Sequence, residues 1–157
     1  DKGTASMKPL VGEEIIVLRY PNLNPELADM TKGFTKYITP MKSLNMDANG
    51  AYLGYKDIDL TGLAGFEVKV MGNPRNPTAG ATVEIRLDSP NGPLAGKSDF
   101  ISTTARGPIK TKINLNNVSG KHTLYFVFVN EKATVGQTLV QIVDIEVVPQ
   151  VLASLTK

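Results

Sequence analysis

Apolar and polar residues alternate along several short stretches of this chain, and a spacing of two predicts β-strands rather than helices. The clearest alternation falls at residues 66–70 and 83–87, where apolar side chains are separated by glutamate, lysine or arginine. We interpret these two segments as paired antiparallel strands. Residues 71–80, between them, contain too much glycine and proline for regular structure.

Further strand patterns extend this prediction to most of the chain. A segment at 24–32 fits either a helical turn or an irregular strand, and residues 47–50 form a strong turn signal. Two largely apolar tracts, 124–129 and 142–148, are typical of strands in the middle of a sheet. The other predicted strands cover residues 14–19, 34–38, 51–55 and 109–115.

About eight short strands without crossover helices predict an all-β fold, a β-sandwich of jelly-roll type, with an up-and-down barrel as the alternative. A length of 157 residues fits one domain, which we expect to span residues 1–157 with a core at about 15–148. The polar segment 97–108 is expected to connect the sheets over the surface, where it is a possible ligand loop.

Charge and composition exclude several classes of function. Seventeen basic and fifteen acidic residues leave a net charge of +2, without the clustered basic charge that nucleic acid or anionic lipid requires. No apolar run approaches the roughly 18 residues of a membrane span. We therefore predict neither a nucleic-acid partner nor a membrane partner.

The inventory of reactive side chains argues against an enzyme. The chain has no cysteine and one histidine, His122, which follows a turn at the start of a predicted strand. Thiolate chemistry and multi-histidine metal centres are thus excluded. A serine triad would have to use His122 as its base, yet the chain contains no Gly-x-Ser-x-Gly nucleophile elbow.

Two specific strings carry a resemblance to a known family. Residues 83–96 read VEIRLDSPNGPLAG and residues 118–128 read VSGKHTLYFVF. They resemble the segments IEIRLDSPxGxLIG and VSGxHDLYLVF of family 6 carbohydrate-binding modules. Weaker similarity at 52–60 and 24–33 extends the likeness over about residues 15–148. The chain is most similar to modules appended to exported bacterial sugar dehydrogenases and glycan-degrading enzymes.

This resemblance implies a sugar ring held between two aromatic faces at the loop end of the sandwich and bonded by an asparagine. Tyr55 falls on the first aromatic position and is expected to lie exposed at the rim, whereas residues 104–112 supply no second aromatic. The asparagine position falls on Ile142, or on Gln141 with an offset of one residue. Some members bind sugar on a concave second surface, where Tyr125 is the candidate.

The family also commonly holds a structural calcium ion, which implies ligands from both ends of the domain. Asn24 and Glu26 match the acidic opening motif, and Asp144 matches the terminal aspartate. Oxygen ligands of this kind suit a hard cation, which would clamp the two ends together.

The resemblance therefore implies a non-catalytic accessory module that targets a parent enzyme in the same chain to polysaccharide or oligosaccharide. A secreted or periplasmic location follows from the same likeness, and the start at Asp1 without methionine is that expected of a processed or excised piece. The alternative is a structural or docking β-sandwich that has lost sugar binding, which the missing aromatic and asparagine favour.

Overall fold

The protein folds into two antiparallel five-stranded sheets that pack face to face. The computed structural model describes residues 22–36 and 43–150, so the strand predicted at 14–19 lies outside it. In spatial order the first sheet contains β1 (Met30–Lys32), β4 (Ala51–Asp59), β9 (Lys121–Val129), β6 (Thr82–Leu87) and β7 (Leu94–Lys97). The second contains β2 (Phe34–Lys36), β3 (Leu44–Met46), β10 (Val140–Pro149), β5 (Leu63–Gly72) and β8 (Gly107–Asn114).

The two apolar tracts occupy the middle of the two sheets, as predicted. Strand β9 lies between β4 and β6, and β10 lies between β3 and β5. A central strand is covered by neighbours on both edges, which explains its nearly continuous apolar sequence. The prediction of an all-β sandwich is confirmed. The alternative of an up-and-down barrel is wrong, because the strands form two separate sheets.

The predicted pairing of the two alternating segments is wrong. Strand β5 pairs with β8 and β10, whereas β6 pairs with β7 and β9 in the opposite sheet. Residues 73–81 cross from one layer to the other instead of closing a hairpin. Alternation reports that one face of a strand is buried, and it does not identify the strand beside it.

The ambiguous segment at 24–32 contains both structures that its sequence allowed. A 3-10 turn, Pro25–Leu27, begins where the side-chain oxygen of Asn24 accepts a hydrogen bond from the backbone N–H of Glu26 at 2.9 Å. Strand β1 follows directly. The segment 97–108 joins β7 to β8 and therefore connects the two sheets, as predicted.

The core lies between the sheets and is built on three phenylalanines. Phe66 of the second sheet meets Phe126 of the first edge to face, with ring centroids 5.2 Å apart, and Phe128 is equally buried. Residues alternating with these point to the outer faces of the sheets. Within the described part of the chain, no helix is long and apolar enough to cross a membrane.

Candidate functional site

Tyr55 lies in the hydrophobic core, not at the rim. Its side chain is 5% exposed, and its ring packs edge to face on Phe126 with centroids 6.0 Å apart. Strand β4 pairs Tyr55 with Leu124, another buried residue, so both side chains face inward. The expectation that this ring is bare is therefore wrong, and Tyr55 cannot stack on a sugar.

The hydroxyl group of Tyr55 is fixed by the segment that precedes β1. It donates a hydrogen bond to the carbonyl oxygen of Asn24 at 2.9 Å. Burial, followed by the nearby carboxylates of Asp144 and Asp29, raises the pKa of Tyr55 well above its ordinary value. The phenol stays protonated and acts as a structural anchor.

Gln141 points away from the core, between the buried residues Val140 and Ile142 of strand β10. The register with β5 shifts between Ile142 and Asp144, which leaves Val143 as an extra residue. Ile142 is fully buried, whereas Gln141 and Asp144 both lie on the outer face. The assignment of Gln141 to the family asparagine position stays a prediction.

Gln141 lines an open cleft of about 470 Å³ at the loop end of the second sheet, which we call the amide cleft. Its neighbours Asn45 and Met71 are the residues paired with it on β3 and β5. Five of the lining side chains are amides, two are threonines and two are apolar. The full lining is Asn45, Met71, Asn73, Asn76, Pro77, Thr78, Gln137, Thr138 and Gln141.

Hydrogen bonds fix some polar groups of the cleft and leave others available. Thr138 donates to Asp47 at 2.6 Å, and the side-chain oxygen of Asn73 accepts from the N–H of Arg75 at 3.0 Å. By contrast, Oδ1 of Asn45 is buried and has no hydrogen-bond partner in the described structure. A buried acceptor without a partner is energetically costly, and a bound donor would satisfy it.

The lining suits a neutral ligand with many hydroxyl groups. Amide groups both donate and accept hydrogen bonds, so they can pair with hydroxyls in either sense. Met71 and Pro77 add apolar surface on which C–H groups can rest. No charged side chain is among the nine lining residues. An arrangement of this kind recognises polarity and shape rather than charge.

Tyr125 lies half-buried on the outer face of the first sheet. It meets Tyr52 edge to face, with centroids 5.3 Å apart. Gly54 lies opposite it, where an added Cβ would come within 3.0 Å of the Tyr125 ring. The absence of a side chain at Gly54 lets the tyrosine lie across the strand.

The residues predicted to bind calcium lie where the two ends of the domain meet. Asp144 accepts a hydrogen bond from the side chain of Asn22 at 2.6 Å and another from its own following backbone N–H. The Asn24 oxygen is used by the turn that contains Glu26. No cluster of three acidic, histidine or cysteine side chains that would suit a metal occurs in residues 22–36 and 43–150. These contacts do not fit a preformed cation site.

His122 is held as a structural residue. Its Nδ1 lies 3.1 Å from Asp88 Oδ2, and its Nε2 lies 3.0 Å from the carbonyl oxygen of Ser119. The hydrogen bond that His122 donates to Asp88 raises the pKa of His122, and the same bond lowers the pKa of Asp88. The pair joins the turn after β6 to the start of β9.

Several residues of the amide cleft were not identified from sequence. Asn45 lies on the short strand β3, which has no clear sequence pattern, and Asn73 and Asn76 lie in the glycine- and proline-rich segment after β5. The only available signal was the repeated Asn-Pro in that segment, which also occurs in ordinary turns.

A two-layer β-sandwich with an open, uncharged cleft of amides is compatible with a neutral ligand rich in hydroxyl groups. The model of the family "Carbohydrate binding module (family 6)" matches residues 28–148. The chain therefore belongs to carbohydrate-binding module family 6, as the sequence motifs indicated. It is a carbohydrate-binding module, and nothing in these comparisons supports the docking-domain alternative.

Solved structures share the fold over most of the chain. A family 6 module from Clostridium cellulolyticum in complex with xylose is 25% identical, with a TM-score of 0.68 over 82% of this chain and 96% of that chain. A family 43 arabinoxylan arabinofuranohydrolase from Bacillus subtilis, in complex with cellotetraose, is 20% identical with a TM-score of 0.62, covering 83% of this chain and 27% of that chain.

A family 36 carbohydrate-binding module in complex with calcium and xylotriose is also similar. It is 16% identical, with a TM-score of 0.60 over 82% of this chain and 99% of that chain. A search of curated proteins finds no match.

Proposed function

We propose that this domain binds a neutral polysaccharide or oligosaccharide in the amide cleft. The observation that carries the proposal is the unpartnered buried oxygen of Asn45 beside the outward amide of Gln141. The side chain of Gln141 makes no hydrogen bond within the described structure, so its donors and acceptor are available to sugar hydroxyls. This offset amide takes over the position of the family asparagine.

Apolar contact in this cleft comes from Met71 and Pro77 instead of from an aromatic pair. An aliphatic surface supports the C–H face of a pyranose less strongly than an aromatic ring does. We therefore expect affinity to depend more on the amides than is usual for stacked sugars. Neutral hydrogen bonds contribute about 0.5–1.5 kcal/mol each, so one lost amide lowers affinity by roughly threefold to tenfold.

The experiment is isothermal titration calorimetry of the purified domain against xylan, β-glucan and cello-oligosaccharide preparations. Gln141→Ala and Asn45→Ala are expected to weaken the strongest interaction found. Gln150→Ala is the matched control, since Gln150 is exposed beyond the other end of the same strand. Absence of binding to every glycan at millimolar concentration contradicts the proposal, as does a loss that Gln150→Ala shares.

The outer face of the first sheet supplies a second, weaker surface in this proposal. Tyr125 and Tyr52 cover part of each other's rings, which leaves a smaller apolar area for a sugar than two open faces would. Arg86 is paired with Tyr125 on the neighbouring strand and adds a polar group at the edge of the same surface. We assign this surface a supporting role in holding long chains.

We infer the biological role from membership of the family. The domain acts as a non-catalytic accessory module that keeps a parent enzyme close to its polysaccharide, outside the cytoplasm. The likeness to part of a larger glycoside hydrolase chain supports this arrangement. Analysis of the full-length gene product tests for a parent enzyme, and a product without other domains contradicts that statement. Fractionation of the producing cells tests the location, and an intracellular product contradicts it.

In this proposal a hydrogen bond between Asn22 and Asp144, rather than a bound metal ion, holds these two segments together. A cation at Asp144 would have to displace the amide of Asn22, and Asn24 would have to leave the turn that contains Glu26. We therefore propose that the bond between Asn22 and Asp144 joins the two ends, and that calcium contributes little to stability.

A further inference from the structure

Phe100 is an exposed aromatic residue that the fold holds in place. Its side chain is 57% exposed on the loop between β7 and β8. Its ring packs directly on Gly80, where an added Cβ would lie 2.7 Å from the ring. The next residue, Ile101, is buried and donates a hydrogen bond to the carbonyl oxygen of Ala81 at 2.8 Å. The loop therefore presents a fixed apolar face to solvent.

This ring borders an open groove of about 780 Å³ at the loop end of the first sheet, which we call the Phe100 groove. Its floor includes Thr82 and Glu84 of β6 and Lys97 of β7, all on the outer face. One wall is Asn130, whose amide donates to the carbonyl oxygen of Gly80 at 2.9 Å. The volume lies in the range of small-molecule sites, and it exceeds that of the amide cleft.

The Phe100 groove and the amide cleft are adjoining. Gln137 lines both of them, and the consecutive residues Thr78 and Ala79 line the amide cleft and the groove respectively. The side-chain oxygen of Gln137 accepts a hydrogen bond from the N–H of Thr134 at 3.1 Å, which fixes the shared wall. The two cavities lie on the outer faces of different sheets and meet at the loop end, around Gln137.

We propose that a single glycan chain occupies both cavities, passing over Gln137, with Phe100 as a stacking platform for the sugar units in the groove. This inference rests on the proposed function of the amide cleft and extends it to the substrate class. The preferred ligand is an extended oligosaccharide chain rather than a mono- or disaccharide. Two separate ligands would compete for the shared Gln137 wall, which favours one continuous ligand.

The test uses the whole domain and oligosaccharides of two and six units from the xylan, cellulose and β-1,3-glucan series, taking the series that binds most tightly. We expect one hexaose per domain by calorimetry. Phe100→Ala is expected to lower hexaose affinity about tenfold, which corresponds to about 1.4 kcal/mol, and to leave disaccharide affinity unchanged. Gln141→Ala should weaken both. Leu27→Ala, a similarly exposed apolar residue on the 3-10 turn, is the control.

Each outcome separates the two proposals. Two hexaoses per domain, or a hexaose affinity that Phe100→Ala leaves unchanged, overturns the continuous path. If the continuous path is overturned but Gln141→Ala still weakens disaccharide binding, the amide cleft is the binding site without the Phe100 groove. Failure of every series to bind overturns the proposed function as well. Thermal unfolding of Phe100→Ala should match the wild type, because most of this side chain is already in water.

Discussion

The hydroxyl of Tyr55 donates to the carbonyl oxygen of Asn24, and this bond ties the start of the described chain to the core. Tyr55→Phe removes that bond and the longer contact of the same hydroxyl with the carbonyl oxygen of Leu23 at 3.5 Å. Because the Asn24 carbonyl still accepts from the N–H of Leu27, we expect a loss of about 1 kcal/mol in the free energy of unfolding. Urea denaturation measures this loss.

Tyr55→Ala is the companion variant. It leaves a cavity beside Phe126 and should cost about 3–5 kcal/mol. Glycan affinity of the folded Tyr55→Phe protein should equal that of the wild type. A large drop in affinity with unchanged stability would restore a binding role for this ring and contradict its burial.

Removal of calcium by a chelator should have little effect on the thermal stability of this domain. The Asp144 carboxylate is engaged by Asn22, so we expect the same thermal midpoint in EDTA and in millimolar calcium. Asn22→Ala should lower the midpoint under both conditions. A midpoint that falls in EDTA, and no longer does so in Asp144→Asn, would show that calcium displaces the Asn22 contact.

The pair of Asp88 and His122 predicts a pH window for stability. The raised pKa of His122 adds stability below about pH 6.5 that is lost as pH rises through its folded value. The lowered pKa of Asp88 adds stability above about pH 4 that is lost as pH falls through its folded value.

The difference in thermal midpoint between wild type and Asp88→Asn should therefore be largest between about pH 4 and 6.5. Asparagine keeps an acceptor for the N–H of Thr123 and tolerates the positive φ of 65° at this position. His122→Gln should give the same pH profile. A difference that is constant from pH 4 to pH 8 contradicts the pairing.

Tyr125 provides the test of the supporting surface. Tyr125→Ala should weaken binding to soluble polysaccharide by about threefold, or roughly 0.6 kcal/mol, because the partner Tyr52 already covers part of its ring. Affinity electrophoresis measures the effect, and Tyr52→Ala should produce a similar one. Equal retardation of wild type and both variants removes this surface from the site.

The sequence predicted the layers of the fold better than their connections. Strands β9 and β10 could be placed centrally because a strand with two neighbours has apolar residues on both faces. The partner of β5 could not be predicted, since its alternation fits any half-buried strand. The crossing at residues 73–81 is determined by how the layers pack, which no local pattern records.

The site was predictable only in part. Gln141 could be named because Asp144 gave a fixed point three residues away. Tyr55 was misplaced because a tyrosine on a strand has the same sequence signal whether it faces inward or outward. Phe100 lies inside the segment expected to be a ligand loop. The position of its ring depends on contact with Gly80, which is twenty residues away in the sequence.

The bulge at Val143 sets which side chains of β10 face outward. Ile142 and Ile145 are three residues apart and are both buried, because the extra residue between them takes up one position of the alternation. Deleting Val143 would leave Ile142 opposite Val70 and Asp144 opposite Lys69, so the Gln141 amide would keep its place. A register slip that straightened the strand without losing a residue would instead turn Ile142 outward and bury the amide. The cleft should therefore tolerate a shorter strand better than a shifted one.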